Sequence, residues 1–120
     1  MATQDQVCSI VPYFQIYPGK EDAFREICER FIDQTREESG CLYYGFSFDG
    51  DKVHCREAYK NADGLLAHLD NVGALIGEAL TISDITRLEV HGTREELEKL
   101  HEPLKDLNPE YWYLEYGFRN

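Results

Sequence analysis

Two alternating segments flank Asp49-Gly50, and they restrict this chain to a small set of folds. Cys41 to Phe48 carries Leu42, Tyr44, Phe46 and Phe48 at every second position, and Lys52 to Tyr59 carries Val53, Cys55, Glu57 and Tyr59 in the same way. A period of two is that of a half-buried strand. Asp-Gly between two such runs signals a hairpin, because a type I′ turn needs positive φ at both central residues. A lone hairpin with one apolar face is barely stable in water, so the flanking chain must supply further strands and a cover.

The flanks read accordingly. Val7 to Tyr17 is a strand with Cys8, Ile10, Phe14 and Ile16 on one face. Pro12 shares that face and has no N–H for a ladder, which predicts a bulge or a locally unpaired stretch. Pro18-Gly19 ends this strand. A helix follows from Lys20 to Ser39, with Phe24, Ile27, Cys28 and Phe31 as its apolar stripe, Glu21 and Asp22 at its positive end, and Gly40 as its C-terminal cap. Asn61 caps a second helix whose stripe is Leu65, Leu66, Leu69, Val72 and Ile76. Gly73 there predicts a close approach or a bend.

Asp84 to His91 is the next strand. Thr93-x-x-Glu96 is a capping-box pattern opening a third helix that carries Leu97, Leu100, Leu104 and Leu107. Pro103 should kink or split that helix, and Asn108-Pro109 ends it. Tyr111 to Phe118 reads as a last strand with Trp112, Leu114, Tyr116 and Phe118 on one face. The order is βαββαβ followed by αβ. This defines an α+β fold, a ferredoxin-like antiparallel sheet with an added C-terminal helix and strand, in a single domain over residues 1–120. The aromatic strand faces exceed what two helices can cover, and a second copy of the chain is the simplest further cover.

Charge and missing motifs narrow the function. Twelve basic against twenty-three acidic residues give a formal net charge of −11, a field that repels nucleic acid and anionic membrane. The polar start of the chain lacks a signal-peptide pattern, and no apolar run reaches membrane-spanning length, so a cytoplasmic location is expected. The four cysteines, Cys8, Cys28, Cys41 and Cys55, form no C-x-x-C pair. They read as small buried hydrophobes in a reducing compartment, and no metal is expected. The acidic residues Glu95, Glu96, Glu98 and Glu102 read as a solvated helix face. There is no phosphate loop, nucleophile elbow or dinucleotide fingerprint, and no cofactor is expected.

Glu57 is the residue out of place. It sits on the packed face of its strand, where a carboxylate must find a partner or shift its pKa upward. His68 lies on the flank of the next helix, half-facing the sheet, and is one candidate partner; Arg25, Arg36 and Arg87 are others. A buried acid, the Tyr59 phenol and an imidazole converging under a helix would make a site. His68 has an alternative reading as an ordinary helix-flank histidine bound to backbone or water, and Tyr59 as a packing residue.

The segments Pro18-Gly19-Lys20-Glu21-Asp22-Ala23-Phe24, Glu38-Ser39-Gly40-Cys41-Leu42-Tyr43-Tyr44 and Glu57-Ala58-Tyr59, with His68 and Leu69 beyond them, resemble the antibiotic biosynthesis monooxygenase family. That family's pattern has E-x-W followed nine residues later by histidine, and Tyr59 stands here in place of the Trp. The resemblance covers about the first two thirds of the chain. It implies a dimeric α+β barrel and a homodimer. It also implies a cofactor-independent monooxygenase acting on a quinol or an aromatic polyketide-type phenol. The haem-degrading branch uses an Asn on the first strand with a Trp and a His; Val7 to Tyr17 contains no Asn, so haem is disfavoured.

In this reading His68 is the general base, Glu57 holds its tautomer, and Tyr59 orients the substrate. Phe14, Tyr44, Leu65, Val72 and Trp112 line the pocket for a small aromatic substrate. Two other readings use the same residues. One is a non-catalytic dimeric module that binds a small ligand; the other is an oxygen-independent isomerase with the same acid–base pair.

Overall fold

Strand pairing begins with β1 (Cys8–Ile16), which lies between β3 (Lys52–Tyr59) and β4 (Ser83–Gly92) and is antiparallel to both. The structure, a computed structural model, describes residues 2–120. β2 (Cys41–Asp49) pairs with β3 across the Gly50-Asp51 turn, and β5 (Glu110–Tyr113) adds to β4, giving the order β2-β3-β1-β4-β5. The first four strands with α1 (Glu21–Thr35) and α2 (Ala62–Ala79) make the ferredoxin-like arrangement. β5 runs parallel to β4. A parallel neighbour requires a crossover, here supplied by α3 (Arg94–His101) and a 3-10 turn at Lys105–Leu107, with the Pro103 break between them.

Local chemistry accounts for most of these elements, with instructive exceptions. In the hairpin turn only Gly50 has positive φ (63°), so the turn has the II′ pattern with glycine first rather than I′. Near Pro12 the β1–β3 register holds at Cys8–Ser9 and resumes at Tyr13–Gln15 with no paired residues between, and the β1–β4 register slips after Tyr13. The helix α1 stops at Thr35, short of Ser39, with Arg36 as its cap. Gly40 serves instead as a point of close approach: a Cβ there would meet the Gly64 Cα at 3.1 Å. Gly73 faces open space.

Asn61 caps α2 as expected, its side chain accepting from the Gly64 N–H at 2.9 Å. The capping box at α3 does not close, because Thr93 makes no side-chain cap bond. Glu96 reaches across to α2, accepting from the Ala62 N–H at 3.0 Å and from Lys99 Nζ at 2.7 Å. It is therefore a buried residue rather than part of a solvated face.

Side chains between the helices and the sheet form two clusters. One gathers Phe14, Phe24, Phe31, Val53, Val72 and Leu75 under α1 and the C-terminal half of α2. The other gathers Cys8, Tyr59, Leu65, Val90, Leu97 and Leu100 under α3 and the start of α2. Each large apolar side chain buried here is worth about 1.5–3 kcal/mol, and together they fix α2 against the sheet. The candidate site lies where the two clusters meet. No helix among the described residues is long and apolar enough to cross a membrane.

Candidate active site

Strand alternation delivers Glu57 and Tyr59 to the helix side of β3, two residues apart and both buried. The Tyr59 hydroxyl donates to Glu57 Oε1 at 2.5 Å. One turn after Leu65, α2 brings His68 over the same strand, only 2 % exposed, with Nε2 3.3 Å from the same Glu57 oxygen. The imidazole sits between two phenol rings, 4.9 Å from Tyr59 and 5.2 Å from Tyr44, centroid to centroid. None of the arginines named as alternative partners reaches Glu57. Arg25 covers the Phe48 ring, and Arg87 pairs with Glu89 and Glu110.

The other face of the imidazole is held by a residue the sequence reading did not single out. Glu38, in the turn between α1 and β2, places Oε2 2.8 Å from His68 Nδ1. A carboxylate only accepts, so this contact matches the tautomer with its proton on Nδ1, which leaves the Nε2 lone pair free on the Glu57 side. Asn71, one turn after His68, donates to the same Glu38 oxygen at 2.8 Å and to the Gln34 carbonyl at 3.1 Å. The Gln34 side chain returns a bond to the Asn71 carbonyl. Glu38 thus lies at Nδ1, and Glu57 faces the opposite nitrogen. Tyr59 is fully buried with its hydroxyl committed to Glu57.

Burial governs the protonation states. It raises the Glu57 carboxyl to about 7, against the partial offset of the Tyr59 hydroxyl. It lowers the His68 pKa below the ordinary value, opposed by the Glu38 hydrogen bond and charge. Near neutral pH the site therefore pairs an acid at its midpoint with an uncharged imidazole. Such a pair can give a proton and take one at adjacent positions. The thiols are not nucleophiles here: burial raises Cys8 and Cys28 to about 12, Cys41 to about 11, and Cys55 also upward. Among the described residues no group of three His, Cys, Asp or Glu side chains is placed to hold a metal.

Glu57 and His68 open onto an apolar cavity of about 120 Å³ between α2 and the sheet. An apolar cavity near 150 Å³ accepts benzene, so this one suits about a single ring. Toward β2 its wall is aromatic, with Phe31, Tyr44 and Phe46; toward β4 it is aliphatic, with Ile85, Leu88 and Leu107. Leu80, Ile85 and Leu107 are also exposed, so they rim its outer end. Of the residues expected to line a pocket, Phe14, Tyr44 and Val72 do so. Leu65 does not, being packed against α3 in the second cluster. Trp112 does not either. The parity of β5 turns Tyr111 and Tyr113 to the helix side, and Trp112 lies on the other face, stacked on His91.

The sequence profile of the antibiotic biosynthesis monooxygenase family matches residues 9–74, more than half of the chain and all of the segment that carries Glu38, Glu57 and His68. The chain belongs to that family. Among solved structures it is similar to MupZ from Pseudomonas fluorescens, at 48% identity over 96% of this chain and 95% of that one, with a TM-score of 0.92. Two others share the fold at low identity. A putative antibiotic biosynthesis monooxygenase from Nitrosomonas europaea has 16% identity over 75% of this chain and 90% of its own, with a TM-score of 0.66. Rv0793 from Mycobacterium tuberculosis has 23% identity over 70% and 91%, with a TM-score of 0.61. No curated protein sequence matches the chain.

Proposed function

We propose that this protein is an acid–base enzyme, a cofactor-independent monooxygenase that acts on a quinol or an aromatic polyketide-type phenol. The observation that carries the reading is the buried His68 imidazole beside Glu57, both opening onto an otherwise apolar cavity. An electron-rich phenolate reduces oxygen directly once it is formed. The protein then has to deprotonate the phenol, keep water away and hold the ring. His68 Nε2 takes the phenolic proton. Glu57, held by Tyr59, takes up or returns a proton beside it. Phe14, Tyr44 and Val72 pack on the ring, and the remainder of the substrate passes the aliphatic rim at Leu80, Ile85 and Leu107. The active species is a cytoplasmic homodimer, in keeping with four unpaired thiols and the exposed aromatic side chains of the sheet's outer face.

One observation favours a second reading. Deprotonating a phenol requires only a base, whereas this site also holds a carboxyl at its midpoint near pH 7. An acid and a base on one cavity suit an oxygen-independent isomerisation, in which one group removes a proton as the other supplies one. A purely ligand-binding module has no use for a buried ionisable pair, whose burial costs stability.

The test is oxygen uptake by the purified protein with a panel of quinols and polycyclic phenols, run beside His68→Ala. We expect uptake by the wild type and its loss in the variant, with circular dichroism confirming that the variant, though less stable, is folded at the assay temperature. Turnover of the same compounds without oxygen consumption identifies the isomerase reading. Equal uptake in the variant removes His68 as the base.

A further inference from the structure

We propose that Glu38 is the positioning residue of this site and its proton connection to solvent, fixing the His68 tautomer and passing protons between the imidazole and a groove beyond α1. The inference rests on the reading of His68 as the base. It begins from a difference between the two oxygens of Glu38. Oε2 is fully used, accepting from His68 Nδ1 and Asn71 Nδ2. Among the described residues, neither the buried Oε1 nor the buried Thr35 Oγ1, one turn earlier, has a hydrogen-bond partner. Both residues border a groove of about 320 Å³ that is separate from the apolar cavity and is also lined by Arg36 and Tyr43. Tyr44 alone borders both spaces.

The two spaces divide the work. An apolar ligand filling the cavity blocks water from that side, so a proton gained by the buried pair has to leave elsewhere. Among the described residues, the 2.8 Å bond from His68 Nδ1 to Glu38 is the polar path that leads from the imidazole toward the groove. The steps balance without any further reagent. Nε2 accepts a proton from the ligand as Nδ1–H passes its proton to Glu38 Oε2; rotation of the carboxyl about its terminal bond then turns the protonated oxygen to the groove, where water takes the proton. The ring is left protonated on Nε2. The reverse transfer resets it: Glu38 returns a proton to Nδ1 as Nε2–H gives its proton to the Glu57 carboxylate or to the product.

The titratable groups around His68 are Glu57, Tyr59 and Cys55 on β3, Tyr44 and Cys41 on β2, and Glu38 with Arg36 beyond α1. Of these, Glu38 alone both bonds the ring and borders the groove.

The test is histidine-selective ¹⁵N NMR on the full chain, which needs no substrate. In the wild type we expect His68 in the Nδ1–H form, with that proton exchanging measurably with water. Glu38→Gln keeps an oxygen for Nδ1–H and Asn71, so the tautomer persists, but it removes the proton acceptor. Exchange should slow by at least about tenfold. In Glu38→Ala, millimolar formate should enter the groove and restore exchange, and in Glu38→Gln it should have no effect. An Nε2–H form in the wild type overturns the proposal, and so does an exchange rate unchanged in Glu38→Gln. Because these readouts are independent of turnover, failure of the oxygen-uptake assay leaves them standing, and their failure leaves that assay interpretable.

Discussion

Glu57 ties the chemistry of the site to the stability of the fold. Its carboxyl titrates near 7 when folded against an ordinary value of 4.5, because burial penalises the charged form. Between those values the folded chain holds a proton that the unfolded chain has released. The contribution is fully present below pH 4.5 and is lost as pH rises through 7, on the order of 3 kcal/mol in all. His68 works in the other direction, because its folded pKa is depressed. Its contribution is present above 6.5 and is lost as pH falls through the folded value. Glu57→Gln keeps an acceptor for Tyr59 and removes only the first effect. Calorimetry should find the variant close to wild type near pH 4.5 and more stable above pH 7, and a pH-independent difference would contradict the assignment. Tyr59→Phe should cost about 1.5–3 kcal/mol at pH 8, where a charged Glu57 loses its donor, and less at pH 5, measured by urea unfolding. Glu57, Tyr59 and His68 were legible in the sequence because strand parity and helix spacing carry them to one place. Glu38 was not. It lies in a connection with no periodicity, 30 residues from His68, and its only signal was membership of the Glu38-Ser39-Gly40 segment in the family resemblance.

At the scale of elements, the site depends on how the start of α2 is held, and two contacts hold it besides the Asn61 cap. Glu96 accepts from the Ala62 N–H and binds Lys99. Burial alone would raise its carboxyl, yet these two partners outweigh burial and hold it below the ordinary range. Glu96→Ala should therefore cost about 1–2 kcal/mol at pH 7, and the difference from wild type should shrink in acid as the carboxyl protonates, read from urea midpoints. The second contact is Gly40 against Gly64. An added Cβ at Gly40 meets backbone at 3.1 Å and cannot be relieved by rotating a side chain. Gly40→Ala should destabilise by about 1–3 kcal/mol and displace the helix that carries His68, visible as a changed His68 NMR shift. The order of elements was readable because each has its own period and its own stop signal. The Thr93-x-x-Glu96 pattern misled because it is a local rule, and the better partner for Glu96 is an orphan N–H 34 residues away. The helix before Gly40 was read too long for a related reason: glycine marked a packing contact, not a cap.

For the molecule as a whole, the helices cover one face of the sheet and leave the other to Tyr13, Tyr43, His54, Arg56, His91 and Trp112. Some of these pair with one another: Tyr13 stacks on His54 at 5.4 Å, and Arg56 lies 4.3 Å over the Tyr43 ring. Beyond β5 the chain continues as an apolar tail that its own fold does not bury, with Leu114, Tyr116 and Phe118 at 42%, 72% and 86% exposure. The tail is nevertheless fixed in place. Thr3 donates to the Glu115 carbonyl, Ala2 bridges Tyr116, and Arg119 pairs with Asp5 at 2.9 Å. Sequence pattern extended the last strand through Phe118 because the alternation continues that far. Pairing stops at Tyr113 because β4 ends at Gly92, leaving no further residues to pair in register. An ordered tail with large exposed aromatics is suited to packing on a second copy of the chain, whereas a free tail of that composition would favour aggregation. If the homodimer is built this way, Tyr116→Ser combined with Phe118→Ser should shift sedimentation velocity from dimer to monomer at micromolar concentration. Circular dichroism should remain that of a folded chain, because neither side chain belongs to the protomer's own core. A dimer of unchanged affinity would assign the interface to the Tyr13–Tyr43–Trp112 face alone, and Trp112→Ala would then be the variant that dissociates it.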